Sequence, residues 1–479
     1  MRLDEQARRE LRVLTLTVVA DCLARLRELR DQGFEFEAHN YPVRVAPDDE
    51  VYSAVKWTST GDVPRRFKGA FGIEDGYKTA VLCSDVPGIQ ALLEFVKQHS
   101  TLKEWLVPSR ISDDDFAERL LTFAVSDLPL EIVDRHIHIA GWDLDDEVVS
   151  EIYGELETWW LSTELPVELW IPILGIDFEA DSLKFFDGVS VRRLSADEQL
   201  ARWPGHRLDG QESLVAMATH ALIIPGWAMP NRDSLGWLAA NWGPPEHVQQ
   251  AEHFFQSLAM VTDQPSGYIQ VVASPVGWAP GYVANLPAML IGALVANKRS
   301  MRFRHESEPL TTLDNDKIKR LTTAYSARSN SKELALAAAR LLSAERRSDD
   351  ADRIVDLCVG LEALLSDSQG ETTYKIAIRA AAMLAKAGMT KPSGFIGPMK
   401  KIYAHRSSVV HGRAGTTTAA VEIDGRTIPT ETLARDVLRQ LLQVRMADQS
   451  LTPNEIDNRL LGGALDQFAK IVAGNDDEA

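Results

Sequence analysis

The chain has 479 residues, a formal net charge of −18 and a hydrophobic content of 45%. This composition is typical of a globular protein of two or three domains, and the acidic excess excludes nonspecific coating of nucleic acid, so any such contact must be local. The cysteines Cys22, Cys83 and Cys358 form no CxxC pair and no disulfide framework, which favours a reducing compartment.

The first predicted element is a helix over residues 1–33. Its apolar residues recur at helical spacing, and Gly33 is a plausible stop. The apolar run at 14–20 is too short to span a bilayer, and no signal peptide is recognised. We therefore expect a cytoplasmic protein without membrane contact.

Residues 1–165 as a whole predict a mixed α/β region of unknown role. A helix is predicted over 87–98, and the polar–apolar alternation of 134–139 predicts a half-buried strand. On such a strand His136 and His138 would share one face and could hold a metal ion. No third ligand stands close in the sequence, so a polar strand face is the preferred interpretation, and we predict no metal site and no cofactor.

Residues 166–310 predict a β-rich middle domain. Ser195 and Glu198 have the spacing of a capping box, which predicts a helix from Ala196. The other predicted elements are strands over 171–179, 189–194, 214–224 (ended by Pro225-Gly226) and 268–273, a hairpin turn at Asp187-Gly188 and a helix over 246–261.

Residues 311–450 predict a helical bundle, so the expected fold class is α+β with an all-α C-terminal part. Residues 451–479 predict a further helix and a disordered acidic tail. The predicted helices of the bundle cover 317–327, 332–345, 351–366, 371–386, 397–411 and 431–448.

One stretch of this bundle differs in charge from the rest of the chain. Residues 372–421, the acid-free stretch, contain no Asp or Glu, which predicts an anion site. Arg406 falls on an apolar stripe of the helix over 397–411, where a guanidinium is costly unless it is paired. Glu362, on an apolar flank of the helix over 351–366, is the predicted partner. The cations of the stretch are Lys375, Arg379, Lys386, Lys391, Lys400, Lys401, Arg406 and Arg413.

His411 follows Arg406 by five residues. On a straight helix the two would lie about 140° apart, but Gly412 predicts the helix end, where the backbone can redirect His411. Histidine serves proton transfer near neutral pH, and arginine offers a planar fork for phosphate oxygens. The pair therefore predicts metal-free cleavage of an RNA phosphodiester through attack of the 2′-hydroxyl.

Three segments, 361–365, 374–382 and 402–412, resemble the Apea-like branch of the HEPN domains, and the resemblance covers roughly 330–446. It implies a helical bundle that dimerises symmetrically and forms a metal-independent endoribonuclease site across the dimer. It also implies a role in bacterial anti-phage defence or as a toxin, with a phage-derived trigger or an inhibitor protein as a possible partner. By this resemblance Arg406 and His411 are the catalytic pair and Glu362 supports them.

Further residues near the motif are candidates for RNA contact. A solvated helix position is the preferred interpretation for His405, and for Lys400 and Lys401 phosphate binding and a solvated helix surface stay open as alternatives. For Arg379 the preferred interpretation is instead a structural pair with Glu362 or Asp356. Many active HEPN members carry Asn, Asp or His after the arginine, whereas this chain carries Ser407, which favours the alternative of a noncatalytic module that binds RNA or a nucleotide or mediates dimerisation. A third interpretation has the cations bind an acidic protein. The predicted RNA contacts are Lys400, Lys401, His405, Ser407, Arg413 and Arg379.

Overall fold

The chain folds as an α+β protein that divides into two compact units in the computed structural model. Unit 1 comprises Met1–Pro172, Gly188–Glu246 and Gln270–Leu294, and unit 2 comprises Ile173–Asp187, His247–Ile269 and Val295–Ala479. The predicted middle domain over 166–310 is therefore not a separate unit, because its residues are shared between the two. The structure describes residues 3–45, 54–74, 79–107, 114–185, 188–203, 212–231, 249–264, 266–291, 310–347, 349–367, 373–412, 420–423 and 425–474.

Helices dominate both units. Within the described ranges, none is long and apolar enough to cross a membrane. The helices are α1 (Glu5–Asp31), α2 (Pro87–Gln98), α3 (Ser100–Leu106), α4 (Asp114–Ala140), α5 (Asp146–Leu161), α6 (Ala196–Ala201), α7 (Glu212–Ala216), α8 (Gln249–Val261), α9 (Asn315–Asn330), α10 (Lys332–Arg346), α11 (Asp350–Leu365), α12 (Thr373–Lys386), α13 (Ile396–Val410), α14 (Thr430–Ala447) and α15 (Pro453–Gly474).

The strands are short, apart from two in the middle of the chain. They are β1 (Tyr41–Val45), β2 (Ala54–Thr58), β3 (Phe71–Gly72), β4 (Val81–Leu82), β5 (Glu164–Pro172), β6 (Ile176–Phe178), β7 (Ser182–Lys184), β8 (Ser190–Arg193), β9 (His220–Pro230), β10 (Val272–Pro275), β11 (Leu290–Ile291), β12 (Thr311–Leu313), β13 (Ala420–Ile423) and β14 (Arg426–Pro429).

Unit 1 joins a helical part to an antiparallel sheet. Strands β11, β10, β5, β9 and β8 lie side by side in this order. The prediction that Pro225-Gly226 ends a strand was wrong, because β9 continues through both residues to Pro230. Leu169 pairs with Ile224 and Val167 pairs with Trp227, so Pro225 and Gly226 together oppose one residue of β5 and form a bulge. Helix α7 occupies the start of the region predicted as this strand.

Local signals in unit 1 predicted several helices well. The Asp4 side chain caps α1 by accepting the Ala7 N–H, and Gly33 adopts a φ of +83° just after the helix. Helix α2 has the predicted bounds, and the capping box at Ser195 starts α6 as expected. Asp187 of the predicted hairpin turn lies outside the described residues.

The predicted strand over 134–139 was wrong, because these residues belong to α4. Their polar side chains alternate with apolar ones, but not because the polar side chains face solvent. The His136 Nε2 atom accepts the Asp145 N–H at 3.0 Å, and the Asp134 carboxylate is buried beside His39. Polar residues that form hydrogen bonds inside the protein thus produced the same polar–apolar alternation as a half-exposed strand.

Unit 2 contains the predicted helical bundle. Helices α9 to α14 lie within about three residues of their predicted bounds. Helix α11 packs closely on α14, because a Cβ atom at Gly360 would lie 2.6 Å from Leu438 Cδ2. The antiparallel hairpin of β13 and β14 was not predicted. Helix α15 follows the bundle as expected, and the predicted disordered end at 475–479 lies outside the described residues.

Candidate functional site

Helix α13 carries the residues that the sequence singled out. Met399, Ile402 and Tyr403 are buried and lie one turn apart, which explains why this segment forms a helix against the bundle. The helix ends as predicted at the glycine. Gly412 has a φ of +66°, and its N–H donates to the carbonyl oxygen of Val409 at 3.0 Å.

Arg406 lies on the inward side of α13 and is half-buried. Its Nε atom is buried and has no hydrogen-bond partner within the described ranges. Glu362 of the neighbouring helix α11 is also half-buried, and the charges of Arg406 and Glu362 both act on Cys358 and Tyr403. The two charged side chains therefore lie close enough to Cys358 and Tyr403 for both charges to act on the pKa of each.

The predicted ion pair between Arg406 and Glu362 is not formed, because no hydrogen bond or ion pair joins them in the described part of the chain. Helix packing brings their backbones together, but the hydrogen bonds of a salt bridge are missing. Arg406 is thus a cation near a carboxylate rather than one that a carboxylate neutralises directly, and its guanidinium keeps hydrogen-bonding capacity.

Cys358 and Tyr403 complete the polar side chains between the two helices. Burial, together with the nearby Glu362 carboxylate, raises the pKa of Cys358 to about 12, although the Arg406 guanidinium acts in the opposite direction. Burial also raises the pKa of Tyr403, whose hydroxyl has no hydrogen-bond partner among the described residues. Both groups are protonated at neutral pH, so Cys358 does not supply a thiolate nucleophile.

The solvent side of α13 carries a different set of residues. Lys400, Ala404, Ser407 and His411 are all exposed, and at about 100° per residue they fall within an arc of roughly 60°. The Lys400 ammonium lies 4.9 Å from the ring centroid of Tyr374, which is itself 55% exposed. A cation, an aromatic ring, a hydroxyl and an imidazole therefore share one accessible face, which we call the α13 outer face.

Arg406 and His411 lie on different sides of the helix. Their separation of five residues corresponds to about 140° of rotation. The N–H of His411 still donates to the Ser407 carbonyl oxygen at 3.1 Å, so the end of the helix does not turn this residue back toward Arg406. Within the described ranges no hydrogen bond joins the two side chains, and the predicted convergence is not seen within one copy of the chain.

Arg379 requires a correction, because it is not placed to contact RNA. Its side chain is completely buried, and its Nε and Nη2 atoms bind the two carboxylate oxygens of Asp457 at 2.9 and 2.8 Å. It also donates to the Leu365 carbonyl oxygen at 2.5 Å and to Asp367 at 3.4 Å. A structural role was preferred, but the partners are these aspartates rather than Glu362 or Asp356.

The remaining predicted contacts differ in their surroundings. His405 is half-buried, and its Nδ1 atom lies 2.6 Å from the Thr430 hydroxyl, so it links α13 to α14. Lys401 is exposed on α13 beside the outer face. Arg413 lies outside the described residues.

Aspartates from outside the acid-free stretch neutralise part of it. Lys375 lies 3.5 Å from Asp457, and Lys386 pairs with Asp448. Together with the ion pairs of Arg379, these pairs reduce the number of lysines and arginines in the stretch whose positive charge is not neutralised by a carboxylate. In the described part of the stretch, the cations without an ion pair are Lys391, Lys400, Lys401 and Arg406, and three of these four are on α13.

Searches of protein-family models, curated proteins and solved structures found no match to this chain. The HEPN resemblance therefore stays a prediction from three sequence segments. Sequence reasoning missed Tyr374 as a member of the outer face, although its place at the start of a resembling segment was a usable signal. It also missed Asp457, for which no short-range signal exists, because it lies 78 residues from Arg379.

Proposed function

We propose that α13 forms the RNA-cleaving site of a metal-independent endoribonuclease of the HEPN type, which acts in anti-phage defence or as a toxin. The observation that carries this proposal is the state of Arg406. It is a half-buried guanidinium whose Nε atom has no hydrogen-bond partner in the described part of the chain, although Arg379 and Lys386 of the same stretch are paired with aspartates. A half-buried cation with an unused hydrogen-bond donor is suited to an anionic ligand.

Each residue has a distinct role in this proposal. His411 transfers the proton of the 2′-hydroxyl or of the leaving oxygen, since its imidazole is exposed at the end of α13 and can reach a bound strand. Arg406 stabilises the extra negative charge on the phosphate, and Glu362 supports the site only through the charge of its nearby carboxylate. The outer face binds the strand through the Lys400 ammonium, and Tyr374 stacks on a base.

The proposal requires two copies of the chain. Because Arg406 and His411 lie about 140° apart around α13, one helix cannot present both to the same phosphate. In a symmetric dimer of the bundle, Arg406 of one copy and His411 of the other can approach one phosphodiester. We propose that unit 1 senses the trigger or restrains this site.

The test is RNA cleavage by the purified full chain in EDTA. We expect Arg406→Ala and His411→Ala each to lower the cleavage rate about 100-fold or more, since a proton-transfer group and a charge-stabilising donor each contribute at least this factor. Products should end in a 2′,3′-cyclic phosphate. Matched controls are Arg426→Ala, an exposed arginine on β14, and His99→Ala in unit 1, both of which should cleave at the native rate. Equal cleavage by all five proteins would contradict the proposal.

A second candidate is a noncatalytic RNA-binding and dimerisation module. It is favoured by the separation of Arg406 from His411 and by Ser407, where many active HEPN members carry Asn, Asp or His. In that case the outer face would retain RNA without cutting it. Binding of labelled RNA by the native dimer that leaves the RNA intact, and that is weakened by Lys400→Ala, would select this function over the nuclease.

A further inference from the structure

Three metal-ligating side chains converge in unit 1, far in sequence from the proposed RNA site. They are His39, Asp134 and His138, of which the first two are 6% and 2% exposed. One ring nitrogen of each histidine and one carboxylate oxygen all lie within 4.8 Å of one another. The His39 Nε2 atom lies 2.8 Å from Asp134 Oδ2, and the two imidazole rings are 5.6 Å apart between centroids.

The fold explains why these residues meet. Asp134 and His138 are four residues apart on α4, so they lie one turn apart on one face of the helix. His39 comes from a segment that pairs with residues 64–66. Its N–H donates to the Pro64 carbonyl oxygen at 2.8 Å, and the next residue of that second segment, Arg65, forms a bridge with Ala38.

Outer hydrogen bonds occupy one polar atom of His138 and one of Asp134, and the other polar atom of each side chain is left as a possible metal ligand. The His138 Nε2 atom lies 3.0 Å from the Arg65 carbonyl oxygen. A carbonyl only accepts, so Nε2 carries the proton and Nδ1 keeps a lone pair. Asp134 Oδ1 accepts the Lys68 N–H at 3.0 Å, which leaves Oδ2. Metal-binding histidines and carboxylates are usually held by outer partners of these kinds.

The Lys68 ammonium does not oppose a cation here. Lys68 contributes its backbone N–H to Asp134, but its side chain turns to two other carboxylates of α4. Its Nζ atom lies 3.2 Å from Asp127 and also pairs with Glu131. The positive charge of Lys68 is thus neutralised by its own partners, and the Asp134 carboxylate stays available to the two histidines.

We propose that His39, Asp134 and His138 bind a divalent transition-metal ion, with zinc as the ion that this ligand set fits. Two imidazoles and one carboxylate are a ligand set of zinc sites, whereas magnesium and calcium prefer oxygen ligands. Around a tetrahedral zinc ion the ligand atoms are roughly 3.3 Å apart. The ion would be held by His39 Nε2, Asp134 Oδ2 and His138 Nδ1, and His39 would then carry its proton on Nδ1 instead of Nε2.

The test is zinc binding by the full chain after removal of metal with a chelator. Isothermal titration calorimetry at pH 7 should show one saturable Zn²⁺ site per chain, and Mg²⁺ should give no signal. Co²⁺ should give the visible absorption of a four- or five-coordinate ion. His138→Gln should weaken Zn²⁺ binding by more than the roughly 10- to 100-fold that the loss of an outer partner costs.

The matched control is His136→Gln on the same helix. The amide oxygen of glutamine can replace the His136 Nε2 atom as the acceptor for the Asp145 N–H, so zinc affinity should stay native. If His138→Gln fails to fold, two measurements on the native chain still test the proposal. Its Co²⁺ complex should show the expected visible absorption, and its melting temperature should rise when Zn²⁺ is added. No saturable binding by the native chain, or unchanged binding by a folded His138→Gln, would show a hydrogen-bonded network only and overturn the proposal.

Discussion

Arg379 on α12 and Arg406 on α13 belong to neighbouring helices of one bundle and to the same acid-free stretch, yet their surroundings differ. Arg379 is completely buried and forms a two-pronged ion pair with Asp457, whereas the Nε atom of Arg406 is buried without a partner in the described ranges. One guanidinium is fully used by the fold. The other is half-buried and keeps a hydrogen-bond donor that no described residue uses.

The difference shows that a stretch without acids in sequence is not a region without acids in space. Three aspartates that flank the stretch in the chain form ion pairs with Lys375, Arg379 and Lys386 in the folded protein. They are Asp367, Asp448 and Asp457. The anion site predicted for 50 residues therefore contracts largely to one helix. Charge that survives this pairing is the better indicator of a binding surface.

The largest expected effect separates the two arginines by stability. Arg379→Ala should lower the free energy of unfolding by about 3 kcal/mol, because it breaks a buried ion pair and leaves the Leu365 carbonyl oxygen without this donor. Arg406→Ala should change it by less than about 1 kcal/mol, since Arg406 forms no ion pair within the described ranges. Urea denaturation of the two variants measures both. Similar losses would show that Arg406 is as structural as Arg379.

The same comparison predicts a pH dependence. The hydrogen bond from Arg379 lowers the pKa of Asp457 below its ordinary value of 3.8. A carboxylate with a lowered folded pKa stabilises the protein fully above the unfolded pKa, and this stabilisation is lost as the pH falls through the folded value. The unfolding free energy of Arg379→Ala should therefore fall less steeply than that of the native chain below about pH 4. Parallel curves would contradict this coupling.

Short-range patterns predicted the bundle because α9 to α14 each bury one apolar stripe at helical spacing. They failed where a polar residue is satisfied by a distant partner. In the sequence, Asp134 and His138 fit the polar face of a strand. The side chain that meets them is His39, which lies 95 residues before Asp134, so no short-range pattern reveals it. Arg406 was correctly placed on an apolar stripe, but whether Glu362 pairs with it depends on side-chain geometry that the sequence does not encode locally.

A smaller effect distinguishes paired from unpaired lysines at the RNA surface. Lys400→Ala should reduce the salt dependence of RNA binding by about 0.7 in the slope of log K against log salt, which is roughly fivefold in affinity at 0.1 M salt. Lys386→Ala should change it much less, because Lys386 is already paired with Asp448. Fluorescence anisotropy at several salt concentrations measures the slopes. Equal slopes for the two variants would place RNA elsewhere than on the α13 outer face.

The smallest expected effect is the coupling between Arg406 and Glu362. A double-mutant cycle of Arg406→Ala and Glu362→Gln, measured by urea denaturation, should give a coupling energy below about 0.5 kcal/mol, because no hydrogen bond joins the pair. The matched cycle of Arg379→Ala and Asp457→Asn should give about 1–3 kcal/mol, as residues in direct contact do. A coupling above about 1 kcal/mol in the first cycle would mean that Glu362 neutralises Arg406 in solution, and the argument for an available guanidinium would then fail.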